Sequence, residues 1–98
     1  MHIKIHKSYR KIVALCDSEL LGKKFEEGNR QLDIRENFYN GEEINWERAV
    51  GMLKDLASDD ATFNIAGEKA IGVAIEAGLM NAEGTMTVKG IPFALILL

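Results

Sequence analysis

The side chains able to do chemistry in this sequence are few, and most stand near its beginning. Cys16 is the single thiol. A thiolate nucleophile needs a neighbouring base or a helix N-terminus to lower its pKa. His2 supplies a base if the first two apolar segments pair as a hairpin, and Asp17 opens a short helix just beyond the thiol. The plainer reading of a lone cysteine closing the apolar run Ile12–Leu15 is a small buried core residue. No third, orienting group can be assigned. His2 and His6 share a strand face four residues apart, which separates them by about 13 Å at about 3.3 Å per residue. A zinc ion needs nitrogens at about 2.1 Å, so no metal site is expected from this pair, and no cofactor is called for.

The strongest binding candidates are Lys4, His6, Lys7, Tyr9, Arg10 and Lys11. An aromatic ring among cations on an exposed turn can stack a base and neutralise phosphates. Residues 1–11 carry four cations and no acid, or +4, while the rest carries 8 basic and 15 acidic side chains, or −7. A basic hairpin that merely offsets an acidic body explains the same charges. Asn64 and Glu68 are added as candidates, because Asn64 and Gly67 are poor interior helix residues and suggest a contact surface. Asn64 as a helix N-cap explains them equally.

Gly22-Lys23-Lys24 lacks P-loop spacing and reads as a glycine stop followed by cations at a helix C-terminus. The acidic pairs Glu26-Glu27, Glu42-Glu43 and Asp59-Asp60 read as solvated turns.

The elements that must position these residues follow from periodicity. His2–Lys7 alternates as a half-buried strand, and Ile12–Cys16 is a more central one. A three-residue link places Lys7 opposite Lys11, Ile5 opposite Val13, Ile3 opposite Leu15 and His2 opposite Cys16. Asp17 is expected to cap one helical turn, Ser18–Leu21, which Gly22 stops. Gly28-Asn29 turns the chain into a strand over Gln31–Ile34, and Asn40-Gly41 marks another turn. Asn45 caps a helix whose stripe is Trp46, Ala49, Val50, Leu53 and Leu56 or Ala57. A second helix is expected over 61–77, with Gly67, Ala70, Ile71, Ala74 and Ile75 inward and a Schellman stop at Gly78-Leu79. Thr85–Lys89 alternates as a strand. Phe93–Leu98 is continuously apolar, buried on both faces or covered by a partner.

The order of strands, two helices and two strands implies an α+β fold: a mixed sheet of about five strands with two main helices on one face. Ninety-eight residues suit a single domain, 1–98. One cysteine and the absence of a secretory h-region suggest a cytoplasmic protein, and no apolar run reaches the roughly 20 residues of a membrane span.

With the segments placed, the chain resembles a family of small uncharacterised archaeal proteins, a domain of unknown function. The resemblance rests on Cys16-Asp17, Leu20–Lys23, Phe25, Glu27-Gly28, Phe38-Tyr39, the N-x-x-G-E of Asn64–Glu68, the run Ala70–Leu79, and Gly90-Ile91-Pro92. It implies a His and a Gln after the proline, where this chain has Phe93 and Leu95. It implies no assigned activity and a link to translation. Three functions are therefore weighed. The first is a non-enzymatic module for RNA or ribosomal proteins using the basic hairpin. The second is a protein-interaction or homodimer module using the apolar C-terminal strand as an edge. The third is a small enzyme built on Cys16 and His2.

Overall fold

The computed structural model describes residues 1–98. Its strands are β1 (His2–Lys7), β2 (Lys11–Cys16), β3 (Lys24–Glu27), β4 (Arg30–Asp33), β5 (Glu42–Glu43), β6 (Thr62–Ala66), β7 (Met86–Val88) and β8 (Ile91–Leu97). Its helices are α1 (Glu36–Tyr39), α2 (Trp46–Ala57) and α3 (Glu68–Glu76). A six-stranded mixed sheet runs β5-β1-β2-β6-β8-β7, and β3 and β4 form a separate two-stranded sheet. The class is α+β as expected. No helix is long and apolar enough to cross a membrane.

The β1–β2 hairpin has the expected register, from Lys7 opposite Lys11 to His2 opposite Cys16. Alternation then divides the residues between two faces. Val13, Leu15, Phe63, Ile65, Ala94 and Ile96 face α2 and α3, where they meet Ala49, Val50, Leu53, Ala70, Ile71, Val73 and Ala74 in the main core. Asn45 caps α2, its Oδ1 accepting from the Arg48 amide at 2.9 Å. A Schellman motif ends α3: the Leu79 amide donates to Ala74 O and the Gly78 amide to Ile75 O, both at 3.0 Å. Gly78 takes φ +81° there.

The helix expected over 61–77 is corrected, because α3 begins only at Glu68. Thr62–Ala66 is instead a strand, parallel to β2 and antiparallel to β8. Its sequence alternates with Phe63 and Ile65 inward, and pairing on both sides outweighs the helical spacing that it shares with the next segment. Gly67, at φ +109°, is where strand becomes helix. Asn64 is accordingly neither inside a helix nor its cap. On α3, Val73 is buried while Ile75 is 38% exposed.

The opposite face of the sheet is only partly covered. The β3–β4 hairpin and α1 lay Leu32, Ile34 and Tyr39 over Ala14, Cys16 and Ala66, forming a second, smaller core. Farther along the same face, Ile12, Thr62 and Asn64 are partly open, and Leu95 and Leu97 are exposed. The C-terminal strand is thus not buried on both sides. Nor is it an edge throughout: β7 pairs with Ile91–Phe93, and only the outer side of Ala94–Leu97 has no neighbouring strand.

Candidate binding surface

Register aligns two rows across the open face: Lys4–Ala14–Asn64–Leu95 and His6–Ile12–Thr62–Leu97. The α1 segment borders them at the β1 side. Lys4 Nζ donates to Asn37 O at 2.8 Å, and His6 Nε2 lies 2.8 Å from Phe38 O. A carbonyl only accepts, so that nitrogen carries the proton, and Nδ1 is left as an acceptor in the neutral ring. The imidazole stacks on the Phe38 ring, with centroids 4.6 Å apart and planes 16° apart. Phe38 in turn meets Tyr39 edge-on at 5.2 Å.

These contacts frame a cleft of about 580 Å³ lined by His6 and Asn64 from the sheet, Asn37, Phe38 and Tyr39 from α1, and Asp33 and Arg35 beside it. Arg35 Nε donates to Asp33 Oδ2 at 3.0 Å. Burial, with the Cys16 sulfur nearby, pushes the Tyr39 phenol up to about 12. Tyr39 therefore stays protonated and can donate or accept.

Of the expected binding residues, the structure brings Lys4, His6 and Asn64 to this face. The hairpin tip holds the others, in a different electrostatic setting from the one their own segment implies. Tyr9 is fully exposed. Arg10 pairs with Asp60 at 3.1 Å and Lys11 with Asp59 at 2.9 Å. Three cations against two carboxylates leave the tip at +1, with Lys7 making no ion pair. These ion pairs are exposed and worth little, so a phosphate can displace the carboxylates.

Glu68 lies apart. It stands at the other end of β6 and lines a smaller cavity of about 190 Å³ with Asp17, Gly67 and Pro92. Asp17 itself is buried there. Its side chain makes no bond to the turn Ser18–Leu20 that it was expected to cap. It caps α3 instead: Oδ2 accepts from the Lys69 amide at 3.1 Å and Oδ1 from the Ala70 amide at 2.8 Å. The helix end is thereby satisfied from within the chain.

Cys16 has no exposed surface, and burial, reinforced by the neighbouring Asp17 charge, raises its thiol to about 11. His2 stands opposite in register, but its ring is engaged with Ser18 Oγ at 3.0 Å. At neutral pH this is a protonated thiol packed in the second core, an arrangement suited to packing rather than attack.

Asp33, Arg35, Asn37, Phe38 and Tyr39 did not emerge from the sequence as site residues. The one available signal was Phe38-Tyr39 just before the Asn40-Gly41 turn, and a four-residue helix is too short for periodicity to register.

The model of the family described as Protein of unknown function (DUF424) matches residues 5–98. A solved structure described as an uncharacterized conserved protein from Methanopyrus kandleri, an archaeon, is similar over 98% of this chain and 90% of that one. The identity between the two is 29% and the TM-score 0.86. No curated protein matches.

Proposed function

We propose, from the premise that the chain belongs to that family of proteins of unknown function (DUF424), that it is a non-enzymatic cytoplasmic module binding single-stranded RNA, free or in a ribonucleoprotein of the translation apparatus. The observation that carries this reading is Tyr9. Its ring is wholly exposed at a hairpin tip between Lys7 and Arg10, where the fold gives it nothing to pack on. An aromatic platform with cations on either side holds a base by stacking and its phosphates by charge. Lys4, His6 and Asn64 extend the same contact along the sheet.

The test is RNA affinity at several salt concentrations for the native chain and for a variant with Lys7, Arg10 and Lys11 all replaced by Ser. The variant is expected to bind more weakly and with a shallower salt dependence. Equal affinity would reject the hairpin as the contact.

A second reading is favoured by a separate feature. Leu95, Leu97 and Leu98 are 56%, 69% and 46% exposed, beside the unpaired outer side of Ala94–Leu97. A second copy of the chain adding its own β8 there would cover these leucines. Light scattering over a wide concentration range distinguishes the cases, since a monomer throughout removes this reading.

A further inference from the structure

The geometry points to a nucleobase subsite in the cleft between Phe38 and Asn64: one base lies flat against the His6–Phe38 pair while the Asn64 carboxamide reads its edge. The RNA reading supplies the source of the base; the cleft alone supplies the chemistry.

Size comes first. At about 580 Å³ the cleft falls within the roughly 300 to 1,000 Å³ typical of small-molecule sites, so it has room for a base and its sugar. Its wall is planar. The imidazole and phenyl rings are stacked within 16° of parallel, and bases stack on such surfaces with little regard to sequence.

Selectivity then falls to Asn64. It stands in the central strand β6, half-buried, and lines the cleft. A carboxamide offers a donor and an acceptor side by side, the complement of a base edge and above all of adenine N6 and N7.

Asp33 and Arg35 neutralise each other at 3.0 Å, so no net charge faces the cleft. His6 and Tyr39 also line the cleft. The guanidinium nitrogens of Arg35 that Asp33 does not engage are available to the phosphate of a bound nucleotide. A flat, neutral, polar-edged heterocycle carrying a phosphate satisfies all of these groups together.

The test titrates the full chain, labelled with ¹⁵N, with AMP, GMP, CMP and UMP, and then with an eight-nucleotide adenine-only RNA. The proteins are the native chain, Asn64→Ala, Asn64→Asp and the triple hairpin variant. AMP is expected to saturate, with shifts centred on His6, Phe38 and Asn64. Asn64→Ala is expected to weaken AMP about tenfold, within the range of a lost bidentate base contact. Should that variant fail to fold, Asn64→Asp keeps the size but removes the donors, and must alter the preference among the four nucleotides. The triple variant is expected to bind free AMP as the native chain does. Competition between AMP and the RNA assigns the base to RNA, and independent binding assigns the subsite to free nucleotides. Absence of a saturable shift at the cleft with every nucleotide overturns the subsite, even if RNA still binds the hairpin. Conversely, AMP binding in the cleft together with native-like RNA affinity in the triple variant rejects the hairpin reading and leaves the subsite standing.

Discussion

The Ala70 amide donates to Asp17 Oδ1 at 2.8 Å across 53 positions of sequence, so the helix that begins after β6 is capped by the residue that follows β2. Gly67 is fitted to this contact. A Cβ built there would come within 2.3 Å of Asp17 Cγ, at a φ of +109° that side chains rarely adopt. The segments Cys16-Asp17, Asn64–Glu68 and Gly90–Pro92 meet here too, with the Gly67 amide donating to Pro92 O at 2.8 Å.

Asp17→Ala is accordingly expected to destabilise the fold by about 2 kcal/mol, since it leaves two amide donors at the start of α3 without a partner. For a chain of this size that is a fall in melting temperature of roughly 10 °C. Gly67→Ala is expected to cost at least about 2 kcal/mol through backbone strain and collision together. Urea unfolding of each variant measures both. A native-like midpoint for Asp17→Ala would show that the cap does not support the fold.

Trp46 offers an internal reporter. Its ring packs over Gly72, where an added Cβ would meet Cη2 at 2.4 Å, and its Nε1 donates to Glu76 Oε1 at 3.2 Å. Gly72→Ala gains about 1 kcal/mol of helix propensity but displaces the indole. The expected outcome is a red-shifted, more quenchable tryptophan emission with a net stability change within about 1 kcal/mol. Unaltered emission would mean that the ring does not rest on Gly72.

At the hairpin tip, Asp59 and Asp60 are expected to compete with phosphate for Lys11 and Arg10. Under the RNA reading, the double change Asp59→Asn and Asp60→Asn raises affinity. It also steepens the logarithmic salt slope by about 1.4, at about 0.7 per phosphate on single strands. Asparagine tolerates the left-handed backbone of residue 60, at φ +58°, so stability should change by less than about 1 kcal/mol. Filter binding at three salt concentrations reads the slope.

High pH should unfold the protein through its second core. Burial raises Cys16 from 9.0 to about 11 and Tyr39 from 10.0 to about 12. Each folded-state pKa lies above its unfolded value, so the folded state holds its protons longer. The stability they contribute is complete below pH 9. The Cys16 part is lost between pH 9 and 11, and the Tyr39 part between 10 and 12. Two pH units correspond to about 3 kcal/mol for the fully buried thiol, and somewhat less for the phenol, which reaches the cleft. A chemical-denaturation series from pH 7 to 11 should therefore fall above pH 9, and Cys16→Ala should remove the earlier part of that fall. A thiol reagent at neutral pH is expected to label Cys16 only after denaturation.

Much of this fold was legible in the sequence because its signals are local. Ile3, Ile5, Val13 and Leu15 set the hairpin register, Asn45 the start of α2, and Gly78-Leu79 the end of α3. What escaped reading depends on contacts distant in sequence. Thr62–Ala66 is a strand because β2 and β8 flank it, and Asp17 caps a helix that lies far ahead in the chain. Lys24–Glu27 is a strand because it pairs with Arg30–Asp33. The candidate site divides in the same way. Lys4, His6, Tyr9 and Asn64 stood out by residue type. The cleft that His6 and Asn64 join is closed by α1, whose four residues carry no periodic signal. The charges of Asp59 and Asp60 reach the hairpin tip only after folding.

The parallel pairing of β2 with β6 also governs how the chain reaches this structure. The β1–β2 hairpin and α2 can form from neighbouring residues, but the middle of the sheet cannot. Ile12 must find Thr62, and α3 has no cap until Asp17 arrives with β2. The decisive contacts therefore close a long loop, and neither half of the chain carries a complete core of its own. Such a topology makes folding slow for so small a protein, on a scale of milliseconds to seconds, and all-or-none. In stopped-flow refolding, the Trp46 signal and the burial of Cys16 should appear in the same kinetic phase.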